Sequence, residues 1–425
     1  MLQLTTLRQH PEAVISGLQR KYVKDAAQTV AQILDLDKQR RETQQELDAT
    51  LAQSNTLAKQ IGQLMKEGKK EEAEVAKVQT AELKTRSKAL EEQLKTLESE
   101  QNALLVLLPN LPHESVPPGR TADDNVEVYL WGDKPNLSPN AKPHWDLIEE
   151  KDIIDFKLGN KITGAGFPVY KGKGARLQRA MIQFFLDEAT HAGYLEIQPP
   201  ILINADSGFG TGQLPDKEGQ MYHATADDLY LIPTAEVPIT NLYRDVIVPE
   251  SELPIKNAGY TPCFRREAGS WGAHVRGLNR LHQFDKVEIV QITKPEDSYQ
   301  ALDEMVEHVK GLMQKLNLHF RIIRLCGGDM SFASALTYDF EVWSGAQGRW
   351  LECSSVSNFE TFQANRLKLR YKNPETGKTE LLHTLNGSAL ALPRIVAAML
   401  ENNQQPDGSI KIPEVLVPYC GFEAI

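Results

Sequence analysis

A long proline-free stretch near the start of the chain constrains its fold more than any other feature. No proline occurs from Glu12 to Leu108. In the second half of this stretch leucine recurs every seven residues, at Leu83, Leu90, Leu97 and Leu104. A looser heptad in the first half comprises Ile33, Leu47, Ser54 and Ile61. Two apolar seams joined by the charged segment 66–70 predict an antiparallel coiled-coil hairpin, with a small helical cap before Asp25. Half of an ordinary helical bundle is the alternative, but long uncapped periodic runs favour a coiled coil.

Composition limits the classes of protein to which the chain can belong. Its 425 residues are 41% hydrophobic, enough for more than one domain. No apolar run approaches the roughly 20 residues of a membrane span, and the start of the chain lacks the pattern of a secretion signal. The four cysteines are scattered without a C-x-x-C pair, so we expect no structural zinc, no membrane association and a cytoplasmic location. A net charge of −10 argues against a non-specific nucleic-acid binder and confines any RNA contact to local basic surfaces.

The remainder of the chain mixes helical and strand patterns. We predict helices over 175–191, 297–316 and 388–401, the first of them ending at Gly193. Strands are predicted over 229–232, 286–292, 320–325, 337–342 and 350–355, and an edge strand over 197–203 includes Pro199 and Pro200. Neither a G-x-G-x-x-G fingerprint nor a P-loop is present. The pattern therefore predicts an α+β fold with an antiparallel sheet flanked by helices, in two domains, 1–112 and 113–425.

The segment Phe264-Arg265-Arg266-Glu267 is the strongest candidate for a site. Side chains two apart on a strand share a face, so we expect Arg265 and Glu267 to reach into one pocket, as a phosphate-binding fork and a hydrogen-bond acceptor. Phe264 and Arg266 would then point away. This arrangement would make an ATP site on an antiparallel sheet. A surface arginine paired with a nearby carboxylate is the alternative.

Other polar residues stand in strand-like or loop contexts. Glu288 lies between apolar strand residues and is either exposed to solvent or a buried functional carboxylate. Glu352 and Ser355 offer oxygen atoms of the kind that Mg²⁺ binds together with substrate phosphates. Asn386 or Ser388 would serve equally well as a simple helix N-cap. Thr234-Ala235-Glu236 is a polar loop at a strand end, where sites gather although most such loops are inert.

Taken in order, these motifs resemble those of the bacterial-type seryl-tRNA synthetases, which are class II aminoacyl-tRNA synthetases. The resemblance covers essentially the whole chain. It rests on the helix and strand ending at Pro199-Pro200, on the Phe-Arg-x-Glu segment with its loop to Phe284, on the Gly-containing helix start that leads to Arg394, and on the hairpin in front. It implies a serine–tRNA ligase that forms seryl-adenylate from ATP and L-serine with Mg²⁺. The serine would then be transferred to tRNA(Ser), and to tRNA(Sec) as a further substrate. The resemblance also implies a class II sheet and a homodimer.

The resemblance implies roles for individual residues. The serine-binding residues would be Thr234, Ala235, Glu236, Arg265, Glu288, Asn386 and Ser388. The ATP-binding residues would be Arg265, Arg266, Glu267, Leu281, Phe284, Glu352, Cys353, Ser354, Ser355 and Arg394, with Mg²⁺ held by Glu352 and Ser355. Arg265 and Arg394 would be catalytic, on the α- and γ-phosphates. The hairpin would contact the long variable arm of the tRNA through Arg40, Arg41, Lys59, Lys66, Lys69 and Lys70, and the helix over 175–191 with the Pro199-Pro200 strand would form the dimer interface.

Two features depart from the common family pattern. Arg266 stands where many relatives have serine, and the loop from Trp271 to Val275 is unusual. A carrier-protein-charging paralogue is one rival interpretation, but such paralogues look armless. A non-catalytic RNA-binding relative is another, and it would be expected to lose residues such as Glu267 or Arg394, which are present.

Overall fold

The structure is a computed structural model that describes residues 1–216, 218–267 and 275–425. The unusual loop from residue 271 onward therefore lies, except for Val275, outside the described residues. Contacts divide the chain into two compact units, Met1–Gln19 with Val23–Pro109, and Arg20–Tyr22 with Asn110–Ile425. The predicted domain boundary at 112/113 stays a prediction. None of the described helices combines the length and apolar character that crossing a membrane requires.

The first unit contains the predicted hairpin. Its helices are α1 (Leu4–Gln9), α2 (Pro11–Arg20), α3 (Ala26–Lys66) and α4 (Lys70–Leu105). The long helices α3 and α4 have 41 and 36 residues, which is about 60 and 54 Å at 1.5 Å per residue. They pack antiparallel, because Gln101 Nε2 donates to the carbonyl of Ile33 whereas Arg86, earlier in α4, pairs with Glu46, later in α3. The coiled-coil arm predicted from the heptads is confirmed.

The seam of the hairpin changes character along its length. Near the base it buries large apolar side chains, including Val30, Ile33 and Leu97. Near the tip, at the start of α4, the fully buried apolar side chains are small, Ala73 and Ala76. The fully buried apolar side chains of the seam are therefore larger at the base than at the tip.

A buried acid interrupts the apolar seam near the base. Asp37 is fully buried, and its carboxylate binds Arg8 at 3.3 Å, Arg40 at 3.2 Å and Arg41 at 3.1 Å. Three guanidinium groups compensate the buried charge. Arg40 and Arg41, predicted as tRNA contacts, are thus held within the unit by this ion-pair cluster.

The second unit is built on an eight-stranded sheet with the order β1-β11-β12-β13-β16-β10-β9-β4. Its strands are β1 (Val126–Trp131), β4 (Leu195–Glu196), β9 (Ile255–Phe264), β10 (Gln283–Thr293), β11 (Phe320–Arg324), β12 (Leu336–Ser344), β13 (Arg349–Asn358) and β16 (His383–Ala391). All neighbouring pairs are antiparallel except β4 with β9. The shorter strands are β2 (Ile154–Asp155), β3 (Val169–Tyr170), β5 (Leu202–Ile203), β6 (His223–Ala224), β7 (Leu229–Leu231), β8 (Ile247–Val248), β14 (Arg370–Lys372) and β15 (Thr379–Leu381).

The second unit also contains helices, which lie on both faces of this sheet. They are α5 (His144–Glu150), α6 (Phe156–Ile162), α7 (Gly172–His191), α8 (Ala205–Thr211), α9 (Glu236–Asn241), α10 (Ser298–Lys315), α11 (Thr361–Leu367), α12 (Leu392–Asn402) and α13 (Val417–Cys420). Phe185 of α7, Met305 of α10 and Ile395 of α12 join Val287 and Ile289 of β10 in the main core. The other face of β10 carries the polar side chains of the site, while Val290 and Ile292 on that same face pack against α9 and α11.

Two predicted elements are wrong. Residues 383–391 form the central strand β16, and the helix predicted from Ser388 begins only at Leu392, so neither Asn386 nor Ser388 is an N-cap. Hydrogen bonding to β10 and β13 on both sides overrides the local preference of these small residues. Likewise, Pro199 and Pro200 lie in no strand, because the edge strand predicted over 197–203 is replaced by the two-residue strands β4 and β5.

Candidate functional site

The centre of the polar face is a buried carboxylate on β10. Glu288 is fully buried, and it shares its face of the strand with Lys286, whose Nζ lies 2.5 Å from Glu288 Oε2. Thr234 Oγ1 donates to the same oxygen at 3.0 Å, and Asn386 Nδ2 donates to Oε1 at 2.7 Å. Ser388 stands directly opposite Glu288 in the β10–β16 ladder. The solvent-facing alternative for Glu288 is therefore excluded, and the carboxylate joins three segments of the chain.

A second carboxylate lies close by. Glu236, the first residue of α9, is buried, and its Oε1 accepts a bond of 2.7 Å from Gln363 Nε2. Gln363 Oε1 accepts in turn from Thr384 Oγ1 at 2.7 Å, which fixes the orientation of the amide. Burial and the nearby charge of Glu288 raise the pKa of Glu236 to about 7, against the lowering effects of Gln363, Lys286 and Arg265. The site thus holds a carboxyl group that titrates near neutral pH.

Arg265 lies just beyond the end of β9, where its backbone N–H still donates to the carbonyl of His282 at 2.9 Å. Its Nε donates to the carbonyl of Pro233 at 3.4 Å, and its guanidinium carbon lies 5.4 Å from the centroid of the Phe284 ring. Arg265 also lowers the pKa of Glu236, which places its positive charge within reach of that carboxyl. A cation is therefore positioned between an aromatic face and the buried acids.

The prediction that Arg265 and Glu267 share one face of a strand is wrong. The strand ends at Phe264, and Glu267 adopts a left-handed backbone with φ of 50°. The Glu267 carboxylate forms an ion pair with Arg280, on the returning end of the loop. A positive φ is uncommon for a residue with a side chain. The turn after β9, rather than the alternation of side chains along a strand, therefore directs Glu267 toward Arg280.

Arg266, predicted from the sequence to depart from the family pattern, contacts a different aromatic ring. Its guanidinium carbon lies 5.7 Å from the Tyr222 ring centroid, and its backbone N–H donates to the carbonyl of Gln220 at 2.9 Å. Tyr222 in turn hydrogen-bonds His282 Nδ1 through its hydroxyl at 2.7 Å. Two successive arginines thus stack on two separate aromatic residues, and Arg266 ties the segment before β6 to the end of β9.

A β-bulge brings two candidate metal ligands to one face of β13. In a regular strand, residues three apart such as Glu352 and Ser355 would point to opposite faces. The register with β12 shifts here, so that Asp339 pairs with Ser355 and Glu341 pairs with Glu352. Since Asp339 and Glu341 share a face, Glu352 and Ser355 do too.

The residues between them have structural contacts in the core. Cys353 Sγ contacts the carbonyl of Phe340 at 3.4 Å, and Ser354 Oγ donates to the carbonyl of Ser388 at 2.5 Å. Leu281, also predicted to contact ATP, belongs to the apolar core. Any contact that Cys353 or Leu281 makes with a nucleotide would therefore use its backbone.

Arg394 projects from the first turn of α12 toward the same edge of the sheet. Its Nε donates to the carbonyl of Asn279 at 3.0 Å, and its Nη1 donates to the carbonyl of Glu352 at 2.7 Å. The Glu352 carboxylate lies 3.7 Å from the same Nη1. Two backbone carbonyls therefore fix the plane of the guanidinium beside the Glu352–Ser355 pair.

Several residues of the site were missed by sequence reasoning. Lys286 could have been found, because it lies two residues before Glu288 and so shares its face of the strand. Gln363 carries no local signal, since α11 reaches the site only through the tertiary fold. Asp339 was missed because its importance follows from the register opposite Ser355.

The carboxyl group of Asp339, opposite Ser355, is incompletely hydrogen-bonded among the described residues. Its Oδ1 is buried, and no hydrogen-bond partner is found for it among the described residues. Burial, followed by the nearby Glu352, raises the pKa of Asp339 well above its ordinary value, while Ser355 acts in the opposite direction. No group of three or more His, Cys, Asp or Glu side chains that could hold a metal ion by itself is found in the part of the chain that the structure describes.

Comparison with known proteins gives matches along the whole chain. The family profile of the seryl-tRNA synthetase N-terminal domain matches residues 1–112, and that of the tRNA synthetase class II core domain (G, H, P, S and T) matches residues 221–403. The serine–tRNA ligase of Salinibacter ruber is 50% identical over 100% of this chain and 99% of its own length. That of Akkermansia muciniphila is 48% identical, again over 100% and 99%.

A solved structure matches equally completely. It is the seryl-tRNA synthetase of Pyrococcus horikoshii complexed with ATP, at a TM-score of 0.94 and 32% identity, with coverage of 100% of this chain and 99% of that one. This match confirms the class II synthetase-type sheet and the N-terminal helical arm that the sequence predicts.

Proposed function

Because the chain belongs to the serine–tRNA ligase family, we propose that it activates L-serine with ATP and transfers the seryl group to tRNA on the polar face described above. The observation that carries the proposal is the buried Glu288, held by Thr234 and Asn386 close to Glu236, whose carboxyl group lies within reach of the charge of Arg265. An acid beside a cation matches a zwitterionic amino acid, whose ammonium and carboxylate need opposite partners.

In the proposed complex, serine binds between the two buried acids and Arg265. Glu288 and Glu236 face the ammonium and hydroxyl groups, with Thr234, Ala235, Asn386 and Ser388 completing the pocket. Arg265 binds the serine carboxylate and the α-phosphate together, and Phe284 stacks on the adenine. Such a pocket rejects alanine by as much as roughly 10⁴–10⁵, because the missing hydroxyl leaves buried polar groups unpaired.

Catalysis in this proposal depends on position and charge. The serine carboxylate attacks the α-phosphate in line and pyrophosphate leaves. The terminal adenosine hydroxyl of the tRNA then attacks the seryl-adenylate carbonyl, the acyl–phosphate bond breaks, and AMP leaves with release of the hydroxyl proton. Arg265 and Arg394 stabilise the charge that develops on the phosphates. Glu267 accepts from the adenine amino group, with the backbone of residues 266, 281 and 353–354 completing the ATP site.

The residues around β13 fit Mg²⁺ bound together with ATP. Glu352 and Ser355 share a face through the bulge, and beside them Asp339 carries a buried oxygen for which the described residues supply no partner. A hard cation prefers such oxygen ligands and keeps substrate phosphates in its coordination shell, which suits a site with few protein ligands. Mg²⁺ would supply neutralisation of phosphate charge, while Glu352 and Ser355 orient it.

The arm is proposed to bind the long variable arm of the tRNA. Lysines exposed near its tip are Lys59, Lys66, Lys69 and Lys70. Lys69 forms an ion pair of 3.1 Å with Glu67, whereas Arg40 and Arg41 are shared with Asp37. The tip lysines are therefore the stronger candidates for phosphate contacts, and shape and backbone would dominate recognition of the RNA. Charging of tRNA(Sec) and a cytoplasmic location belong to the same proposal.

A homodimer is part of the proposal. Leu195 on the edge strand β4 is 64% exposed, and Leu202 on the short strand β5 of a separate sheet is 44% exposed. Large apolar groups at an unpaired edge are a liability unless a partner covers them. The edge beside α7 and Pro199-Pro200 is thus the proposed interface. Replacing Leu195 by glutamate should shift the mass measured by light scattering toward the monomer; an unchanged mass would contradict this placement.

Pyrophosphate exchange across the amino acids tests the proposed function. Exchange should depend on serine and ATP and be lost with Arg265→Ala, whereas Lys411→Ala, at an exposed position, should leave it unchanged. Exchange with an amino acid other than serine, or none at all with serine, would overturn the assignment. Deleting residues 35–95 should abolish transfer to tRNA and spare exchange; equal loss of both would contradict the separate role of the arm.

A further inference from the structure

A buried acid–imidazole pair lies outside the substrate pocket. His144 opens α5 and Glu401 lies near the end of α12, and both side chains are fully buried. His144 Nδ1 lies 2.7 Å from Glu401 Oε1, and the backbone N–H of His144 donates to the same oxygen at 3.0 Å. Ser344 Oγ donates to Glu401 Oε2. Burial raises the pKa of Glu401, but the bonds from His144 and Ser344 outweigh it and hold that pKa below its ordinary value.

The hydrogen bonds of His144 define its tautomer. The backbone N–H of Leu278 donates to His144 Nε2 at 2.9 Å, so Nε2 must carry the lone pair. The proton of the neutral ring then resides on Nδ1, and Nδ1 donates to Glu401. The imidazole also packs closely against the backbone of Gly277, because a Cβ added to that residue would lie 2.4 Å from His144 Nε2. The imidazole therefore links α12 rigidly to the turn at residues 277–279.

That turn holds Arg394. Leu278 is fully buried, and the carbonyl of the next residue, Asn279, accepts the 3.0 Å bond from Arg394 Nε. The side chain of Asn279 donates to Gln347 Oε1 at 3.0 Å, and Gln347 Nε2 donates to Glu401 Oε1 at 3.0 Å. Two routes thus run from Glu401 to Asn279, one through the imidazole and one through the glutamine amide.

We propose that His144 and Glu401 are positioning residues that fix the Gly277–Asn279 turn and, through the carbonyl of Asn279, aim Arg394 at the terminal phosphates of ATP. The inference rests on the proposed function, in which Arg394 binds the γ-phosphate. Neither residue touches the nucleotide. Loss of the pair frees the carbonyl of Asn279 and lets the Arg394 guanidinium rotate about its remaining bond to the carbonyl of Glu352.

Two substitutions test the two ring nitrogens of His144 separately. In His144→Asn the amide nitrogen replaces the Nδ1 donor to Glu401, and the acceptor for Leu278 N–H is lost. In His144→Gln the longer side chain places an oxygen near the position of Nε2 and keeps that acceptor. Calorimetric titration without serine compares ATP with AMP, which lacks the phosphates that Arg394 would bind.

We expect His144→Asn to weaken ATP binding by about 10-fold, as for a lost charged hydrogen bond, and AMP binding by less than about 2-fold. His144→Gln should retain most of the ATP affinity. Arg394→Ala should show the same selective loss, and adding His144→Asn to it should cause no further loss, because both act through one guanidinium.

The outcomes separate the two hypotheses. If Arg394→Ala weakens ATP and AMP equally, the γ-phosphate role of Arg394 fails and this inference fails with it. If Arg394→Ala is selective for ATP while His144→Asn weakens both nucleotides alike, or adds fully to Arg394→Ala, only the positioning role is overturned. Should His144→Asn fail to fold, Glu401→Gln carries the same test, since it preserves shape and removes the charge that orders the pair.

Discussion

Replacing Glu236 by glutamine should stabilise the protein while it impairs serine activation. Glu236 is buried, and its pKa lies at about 7 where the ordinary value is 4.5. The folded state therefore binds a proton that the unfolded state has already released between these values. Stability falls as pH rises through this window, because the folded protein must either keep the proton or bury a charge. Glutamine keeps the acceptor for Gln363 Nε2 and has no proton to lose.

The magnitude follows from the two pKa values. Each unit of pKa corresponds to about 1.4 kcal/mol, so the step from 4.5 to about 7 corresponds to about 3 kcal/mol at high pH. Part of this difference is already present at pH 5. The free energy of unfolding of Glu236→Gln, relative to that of the unmodified chain, should therefore increase by about 2–3 kcal/mol between pH 5 and pH 8.

Urea denaturation at both pH values measures this difference, and contributions from all other groups cancel between the two proteins. Glu375→Gln, at an exposed position in the turn after β14, is the matched control and should show no pH-dependent gain. The serine KM in pyrophosphate exchange should rise by about 10-fold or more through loss of a charged partner for the ammonium. A stability difference that is the same at pH 5 and pH 8 would refute the raised pKa of Glu236.

Three further substitutions test other parts of the structure. Glu288→Ala should abolish serine activation and leave ATP binding measurable by calorimetry, while the uncompensated Lys286 destabilises the fold by about 3–5 kcal/mol; unchanged pyrophosphate exchange would rule out its role. Asp339→Asn should raise the Mg²⁺ concentration that gives half-maximal exchange, and identical Mg²⁺ curves would show that its orphan oxygen does not face the cation. Asp37→Ala should destabilise the arm by about 1–3 kcal/mol, less than for a dry pair because its arginines are partly exposed. Far-UV circular dichroism in urea, with Asp48→Ala as the exposed control, would detect this change; equal midpoints would argue against it.

Sequence reasoning succeeded where the pattern is local. The arm was predicted because a heptad needs only its own turns, and helices α3 and α4 lie where the periodicity placed them. The strands β10 to β13 were located within a few residues because β-branched and aromatic runs mark them. The sequence left open whether Glu288 is buried or exposed to solvent. Only the tertiary fold, which covers both faces of the sheet, decides between these alternatives.

Sequence reasoning failed where distant partners decide the conformation. The segment 383–391 consists largely of small residues with weak preference, and two flanking strands make it a central strand. Glu267 lies beyond the strand because the chain turns there with a positive φ that no local pattern required. The shared face of Glu352 and Ser355 comes from a bulge that is visible only in the register. Their roles toward ATP, and that of Arg265, stay predictions.

The change in the arm seam from buried leucine side chains at the base to buried alanines near the tip makes the packing of the hairpin weaker toward its tip. Near the tip the fully buried apolar groups are the methyl groups of Ala73 and Ala76, whereas opening a turn at the base exposes fully buried leucine and isoleucine side chains. Amide hydrogens should therefore exchange fastest around Gly68 and slow progressively toward Ile33 and Leu97. An RNA bound at the tip would therefore contact the part of the arm that deforms most readily, while the more tightly packed base keeps its conformation.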